Sequence, residues 1–332
     1  MELDEFLKEW NNECTTVEVQ TSGSTGVPKK MRVEKARMVA SAVKTCDFLG
    51  LRPGDSALLC MPLQYIAGKM MVVRSIVRGL KLVSVHPSSE PLLLTDEHID
   101  FAAMVPMQVI KTLESDEGCR KFKQIRNVII GGGAIDPALE AQLKDFPNAV
   151  WSTYGMTETL SHIAMRRLSG ETAGKWYTLL SNVHVELSDN ETLVISAPDI
   201  CDGVLVTNDR AVINEKGQFR ILGRIDNTIN SGGVKLQIEE IESKISELLG
   251  NADAEGHFRI AGKKDPLFGE IVVMLLDESV LPLESKIAEA VAELPKYWRP
   301  REVIRVKSLP MTGNGKPDRA TTALMVNEKP AN

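Results

Sequence analysis

Residues 17–33 read VEVQTSGSTGVPKKMRV. Thr16 to Gln20 alternates and is rich in β-formers, so a short strand is expected there. The six residues that follow, Thr21, Ser22, Gly23, Ser24, Thr25 and Gly26, have no bulk to shield their amides. Glycines permit the positive φ angles that turn successive N–H groups inward, a geometry that holds anions. The hydroxyls add donors and Lys29 adds a positive charge, so a phosphate is the natural guest. A flexible Gly/Ser turn is the ordinary alternative. The Walker A pattern, Gly-x4-Gly-Lys-[Ser/Thr], fails, because counted from Gly23 its second glycine falls on Pro28. Pro28 also biases Val27 away from helical dihedrals, so the loop should not open directly into a helix. An ordinary P-loop NTPase does not fit.

Outward from this loop, strand-like and helix-like runs alternate. Residues 35–48 read as a helix that stops at Gly50, and ALLCMP as a buried strand. The helical IAGKMMVVRSIVRG leads into KLVSV, and FAAMV, RNVII and AVWSTY follow as further strands. Asp136-Pro137 makes a good helix start. Such alternation implies a mostly parallel α/β layer. From about 177 the texture changes to short strands and turns, which predicts a small appended β-barrel or sheet, the barrel being preferred. After Ile225-Asp226, the amphipathic helix IEEIESKISELL and several strands complete a compact α+β unit. The expected fold is therefore α/β, with a large layered N-terminal domain (1–225) bearing the barrel and a small C-terminal domain (226–332).

With 332 residues, 43% of them hydrophobic, the chain has enough material for one large and one smaller core. A formal charge of −6 argues against nucleic acid or an anionic membrane as main partner. The five scattered cysteines form no C-x-x-C pair, which speaks for reduced thiols and against a zinc site or disulfide framework. The N-terminus MELDEFLKEW lacks the basic and apolar regions of a signal peptide, and no run could insert in a bilayer, so a cytoplasmic setting is expected.

Downstream, VWSTYGMTET places Thr157-Glu158 after a strand, where α/β sheets carry ligands. LVTND and FRILGRIDNTINSGG supply an acid, an arginine and paired glycines, and LPMTGNGKPDR has a lysine on a Gly-rich turn. Singly, each has an ordinary structural explanation. Together, in this order, they resemble the acyl-adenylate-forming superfamily of acyl-CoA synthetases, peptide-synthetase adenylation domains and luciferases. The resemblance covers residues 16 to about 322. It implies that Thr21 to Lys29 is the loop on the β- and γ-phosphates of ATP. It places Gly131, Gly132, Gly133 and Ala134 along the adenine and acyl site, with Tyr154 beside the ring. Thr157 would contact the α-phosphate and Glu158 the Mg²⁺, while Asp209 and Arg224 match the ribose-binding pair. Asp226 matches the hinge of a mobile lid, Lys316 the adenylation lysine, and Gly232 and Gly233 the glycines beside the pantetheine tunnel of coenzyme A.

These residue types suit the implied chemistry. A carboxylate attacks the α-phosphorus, and pre-positioned cations and donors stabilise the negative charge that gathers there. A thiol then displaces AMP, and a hinged lid can exchange the lysine for the glycine face between steps. Lys30 stands where the family's loop usually has glycine, and Thr207-Asn208-Asp209 replaces Thr-Gly-Asp. Twenty residues precede the loop where the family has well over a hundred, so the acyl-site wall is expected to differ, with a homodimer as one replacement surface. MPLQYIAGKMMVVRSIVRGLK and STYGMTETLSHIAMR resemble o-succinylbenzoate–CoA ligases of menaquinone synthesis, although Gln64-Tyr65 replaces their Phe-His. That acid keeps a second carboxylate, which needs a partner if buried. Lys69, Arg74, Ser161 and His162 are the candidates. A ligase for another aryl or short acyl acid, transfer to a carrier protein, and a non-catalytic nucleotide-binding relative stay open.

Overall fold

Helix α1 (Leu3–Asn11) opens the chain, its first amide tied by the Glu2 N–H donating to Glu5 Oε2 at 3.1 Å. Its apolar face buries Phe6 completely, a contribution of roughly 1.5–3 kcal/mol. Strands β1 (Thr16–Gln20) and β2 (Lys30–Glu34) form an antiparallel ribbon whose register pairs Gln20 with Lys30. The computed structural model describes residues 1–20, 30–133, 135, 137–249, 257–279, 284–311 and 317–327.

Next come α2 (Lys35–Phe48), β3 (Ser56–Leu59), α3 (Ile66–Arg78), β4 (Lys81–Ser84), β5 (Phe101–Met104), α4 (Pro106–Leu113) and α5 (Asp116–Gln124). They are followed by β6 (Asn127–Ile130), α6 (Pro137–Leu143), β7 (Ala149–Gly155), β8 (His162–Arg167) and β9 (Thr178–Leu179). The strands make a seven-stranded sheet in the order β4-β3-β5-β6-β7-β8-β9. The first five run parallel, and β8 and β9 are antiparallel additions. Alternate strand residues serve two cores. Ala57, Leu59, Phe101, Ala103 and Ile129 pack with α2 and α3, whereas Leu58, Ala102, Met104, Val128 and Ile130 pack with α4, α5 and α6. Burial on both faces is what parallel strands require. Met70 and Met71 of α3 are core residues, and α3 ends where Gly79 takes the left-handed conformation at φ +67°.

Strands β10 (His184–Leu187), β11 (Thr192–Ser196), β12 (Val204–Ile213) and β13 (Phe219–Arg224) form an open four-stranded antiparallel sheet, which corrects the expected barrel. Strand β12 runs ten residues, with a register shift against β13 at Arg210/Ala211. Closure needs a stagger that brings the edge strands together. Here β10 and β13 stay on opposite edges, and the inner face (Leu193, Ile195, Ala211, Phe219) is satisfied by packing onto the first core.

The remaining elements are β14 (Thr228–Ser231), β15 (Val234–Gln237), α7 (Ile238–Leu249), β16 (Phe258–Asp265), β17 (Gly269–Asp277), α8 (Glu284–Glu293), β18 (Glu302–Val306) and α9 (Arg319–Asn327). They build a five-stranded sheet with its own interior. Ile229, Ile241, Ile245, Met274 and Ile287 fill one side, and Val273, Leu275, Val306 and Val326 the other. Among the described residues no helix is long and apolar enough to cross a membrane.

Candidate functional site

The carboxyl ends of β5, β6 and β7 converge, and the motif residues gather there. After β6, Gly131 passes so close to β7 that a Cβ would sit 2.5 Å from Thr153 Oγ1. Gly132 holds φ +80°, and Gly133 faces Pro106 at the start of α4. After β7, Thr157 lies half-buried and Glu158 exposed on a short 3-10 turn. Leu160 closes that turn at φ +61°, a strained position for a non-glycine residue.

Tyr154, on β7, donates its hydroxyl to Asp209 Oδ2 at 2.6 Å, which joins the main sheet to β12. Burial, and secondarily the Asp209 carboxylate, push the Tyr154 phenol well above its ordinary range. Arg224 at the end of β13 reaches Asp209 Oδ1 at 3.5 Å and Asp226 Oδ2 at 2.9 Å. Tyr154, Tyr177 and Phe219 form an aromatic cluster beneath, with ring centroids 5.1–5.9 Å apart. Thus one acid, one half-exposed cation and an aromatic ring share a ledge, which suits the hydroxyls and base of a nucleoside. The residues also fit Mg²⁺. Among the described residues Glu158 has no ion-pair partner, and a single free carboxylate is what this ion needs when phosphates and water complete its shell.

A second group lies beneath α3. Arg74 is 2% exposed and has no carboxylate partner among the described residues. Its Nη2 donates to Ser161 Oγ at 2.6 Å, and its Nε has no partner among the described residues. Burial lowers its pKa to about 10, which leaves it cationic at neutral pH. His162 contacts Ser161 Oγ through Nδ1 (3.2 Å) and Thr45 Oγ1 through Nε2 (3.0 Å). Burial, then the Arg74 charge, hold this imidazole neutral, far below its usual range. Lys69 is equally buried but goes elsewhere. Its ammonium donates to the Glu18 carbonyl at 2.5 Å, approaches Glu9 Oε2 at 3.4 Å and lies over the Phe6 ring. It is a clasp between α3 and the N-terminal segment, because its charge is already satisfied there.

Gly232 and Gly233 form the turn between β14 and β15, at φ +59° and +84°, and are exposed. A Cβ on Gly232 would meet Phe268, and one on Gly233 nothing within 4 Å, so neither packs on the ledge of Tyr154, Asp209 and Arg224. Beside them an open groove of about 670 Å³ is lined by Asn230, Lys264 and Glu270. Thr21, Ser22, Gly23, Ser24, Thr25, Gly26, Lys29, Ala134, Asp136 and Lys316 lie outside the described residues.

Two features escaped the sequence reading. Asn208, in place of the family's glycine, donates to Asp226 Oδ2 at 3.1 Å, and that departure was itself the signal. Buried Gln237 donates to the carbonyl of Arg224 at 2.7 Å, tying the 3-10 turn Ile225–Asn227 to the last sheet. A glutamine at the end of a strand gives no motif by which to find it.

A family model described as AMP-binding enzyme matches residues 17–213. The 2-succinylbenzoate–CoA ligase of Listeria innocua serovar 6a is 26% identical over 94% of this chain and 70% of its own. A solved acyl-CoA synthetase (AMP-forming)/AMP-acid ligase II-like protein from Dyadobacter fermentans is 32% identical, covers 96% of this chain and 91% of its own, and superposes with a TM-score of 0.66. The o-succinylbenzoate coenzyme A synthetase from Bacillus subtilis, solved with ATP and a magnesium ion, shares the fold with a TM-score of 0.72. It is 21% identical over 91% of this chain and 68% of its own. The family match runs from the strand before the Thr/Ser/Gly loop to the end of the strand that carries Asp209, more than half the chain, and the chain belongs to the AMP-binding enzyme family.

Proposed function

We propose that the protein is an ATP-dependent carboxylate–CoA ligase, that its acid is 2-succinylbenzoate, and that it serves menaquinone biosynthesis. The acid's carboxylate attacks the α-phosphorus of ATP and pyrophosphate leaves, giving an acyl-adenylate. The thiol of CoA then attacks the acyl carbon and AMP leaves, giving the thioester. In this reading Asp209 and Arg224 hold the ribose, Tyr154 flanks the base, Thr157 steadies the α-phosphate, and Lys29 and its loop hold the outer phosphates. Mg²⁺ on Glu158 would neutralise phosphate charge. Residues 1–225 act as the AMP-binding domain and 226–332 as a lid hinged at Asp226, which presents Lys316 for the first step and Gly232-Gly233 for the second.

The observation that carries the substrate assignment is buried, carboxylate-free Arg74. A desolvated guanidinium costs several kcal/mol unless an anion meets it, and the second carboxylate of 2-succinylbenzoate is such an anion. Ser161 and His162 stand beside it. Free, mostly buried cysteines support a reducing, cytoplasmic setting. The homodimer expected from the sequence belongs to the same proposal and is checked by analytical ultracentrifugation.

The test is AMP release over a panel of acids, with and without CoA. One charge-assisted pair is worth about ten- to a hundredfold, so 2-succinylbenzoate should exceed benzoate and hexanoate in kcat/KM by about that factor. Equal efficiency with benzoate would refute the substrate assignment and leave the broader ligase reading standing.

A further inference from the structure

The hydrogen bonds behind Arg74 have one direction that pairs every hydroxyl and ring proton among the described residues. Thr45, in the last turn of α2, donates its single hydroxyl proton to the Ser41 carbonyl at 3.1 Å, the usual back-bond of a helical threonine. Its remaining capacity toward His162 Nε2, 3.0 Å away, is as an acceptor. The His162 proton therefore sits on Nε2, and a neutral imidazole then has a lone pair on Nδ1. Burial and the nearby Arg74 charge both favour this neutral form. Nδ1 accepts the Ser161 hydroxyl proton at 3.2 Å, so Ser161 Oγ faces Arg74 Nη2 with a lone pair at 2.6 Å. The opposite direction would put the Nδ1 proton on Ser161 and leave the proton of the half-buried Ser161 hydroxyl with no acceptor among the described residues.

We infer that Thr45 and His162 are positioning residues for acid recognition: the chain Thr45–His162–Ser161 directs the Ser161 hydroxyl proton to His162 and its lone pair to Arg74, which pins Arg74 by Nη2 and leaves the unpartnered Nε for a substrate carboxylate. This rests on the reading that Arg74 meets the second carboxylate of the acid. Neither Thr45 nor its helix belongs to any of the motifs that carry the family resemblance. The role is one of orientation, since Thr45 touches His162 and not Arg74.

The experiment has two readouts on the full chain. A long-range ¹H–¹⁵N spectrum of histidine-labelled protein, with His162 assigned by its loss in His162→Gln, should show a neutral Nε2–H ring. A neutral Nδ1–H ring or a cationic one overturns the inference without any further variant. The second readout is kinetic. Thr45→Val keeps shape and removes the acceptor, and should raise KM for 2-succinylbenzoate about tenfold, the scale of one hydrogen bond. KM for ATP and the efficiency with benzoate, which lacks the second carboxylate, should stay within about twofold, and Thr45→Ser should restore the wild-type KM. A Thr45→Val enzyme with unchanged preference for the diacid overturns the relay. Arg74→Gln separates the two levels. If it abolishes that preference while Thr45→Val does not, the relay alone fails; if it leaves the preference intact, the Arg74 reading fails and takes the relay with it.

Discussion

Tyr154 shows how much one hydroxyl can organise. Its bond to Asp209 joins β7 to β12, residues 55 positions apart, and sets the carboxylate at the edge of the ledge. A hydrogen bond to a charged group is worth about 1.5–3 kcal/mol. Tyr154→Phe should therefore raise KM for ATP by about tenfold while the far-ultraviolet spectrum stays native; unchanged ATP dependence would remove Asp209 from nucleotide binding. His162 makes a pH prediction. Its folded pKa lies well below 6.5, so between those values the unfolded chain binds a proton that the folded ring refuses. Stability from this group is thus present above about pH 6.5 and lost as pH falls below it, by up to ~1.4 kcal/mol per unit. Thermal unfolding from pH 7.5 to 5 should show a smaller acid-side loss in His162→Gln than in wild type. At this scale identity was legible and environment was not. Arg74 and Lys69 interrupt one apolar helical run in the same way, yet one is left without a carboxylate and the other clasps Glu9 and the Glu18 carbonyl. The packing of α1 and β1 on α3 separates them.

The turn between β7 and β8 is the element on which the site depends most. Gly155 lies against the Ser161 carbonyl so closely that a Cβ would collide with it, and the register shifts there. Backbone cannot yield as a flexible side chain can, so Gly155→Ala should displace the segment that bears Thr157, Glu158 and Ser161. Adenylation should fall at least tenfold in a protein that still unfolds cooperatively, and near-normal adenylation would show the turn to be adaptable. Element bounds were legible where chemistry punctuates the chain. The helix α3 was read in IAGKMMVVRSIVRG, residues 66–79, and is Ile66–Arg78, because Gly79 caps it in the left-handed conformation. The barrel was misread because short alternating strands are common to an open sheet and a closed one. Closure depends on stagger and on what covers the inner face, neither of which a strand pattern carries.

Across the whole molecule, the proposal needs two sheets with separate cores to exchange positions around the turn at Asp226. Asn208 and Arg224 hold its carboxylate, and Gln237 holds the adjoining backbone. Lys316 is proposed to act in adenylation alone. Lys316→Ala should slow acyl-adenylate formation at least roughly a hundredfold, as loss of a transition-state donor does, yet make thioester from pre-formed adenylate at close to the normal rate. Equal slowing of both halves would refute the exchange. What suggests this role for Lys316 is present in the sequence as a lysine on a Gly-rich turn, TGNGKPDR. The arrangement of the two sheets was not legible there, since the side chains of Asn208 and Gln237 meet their partners only in three dimensions. The two-step reaction itself is tested most directly by a single-turnover rapid-quench assay with 2-succinylbenzoate and ATP labelled at the α-phosphate, run without CoA and then with it. The account predicts that labelled acyl-adenylate accumulates on the enzyme without CoA and is converted to thioester and free AMP when CoA is added. Hydrolysis of ATP to ADP, or no labelled adenylate with this acid, would contradict it.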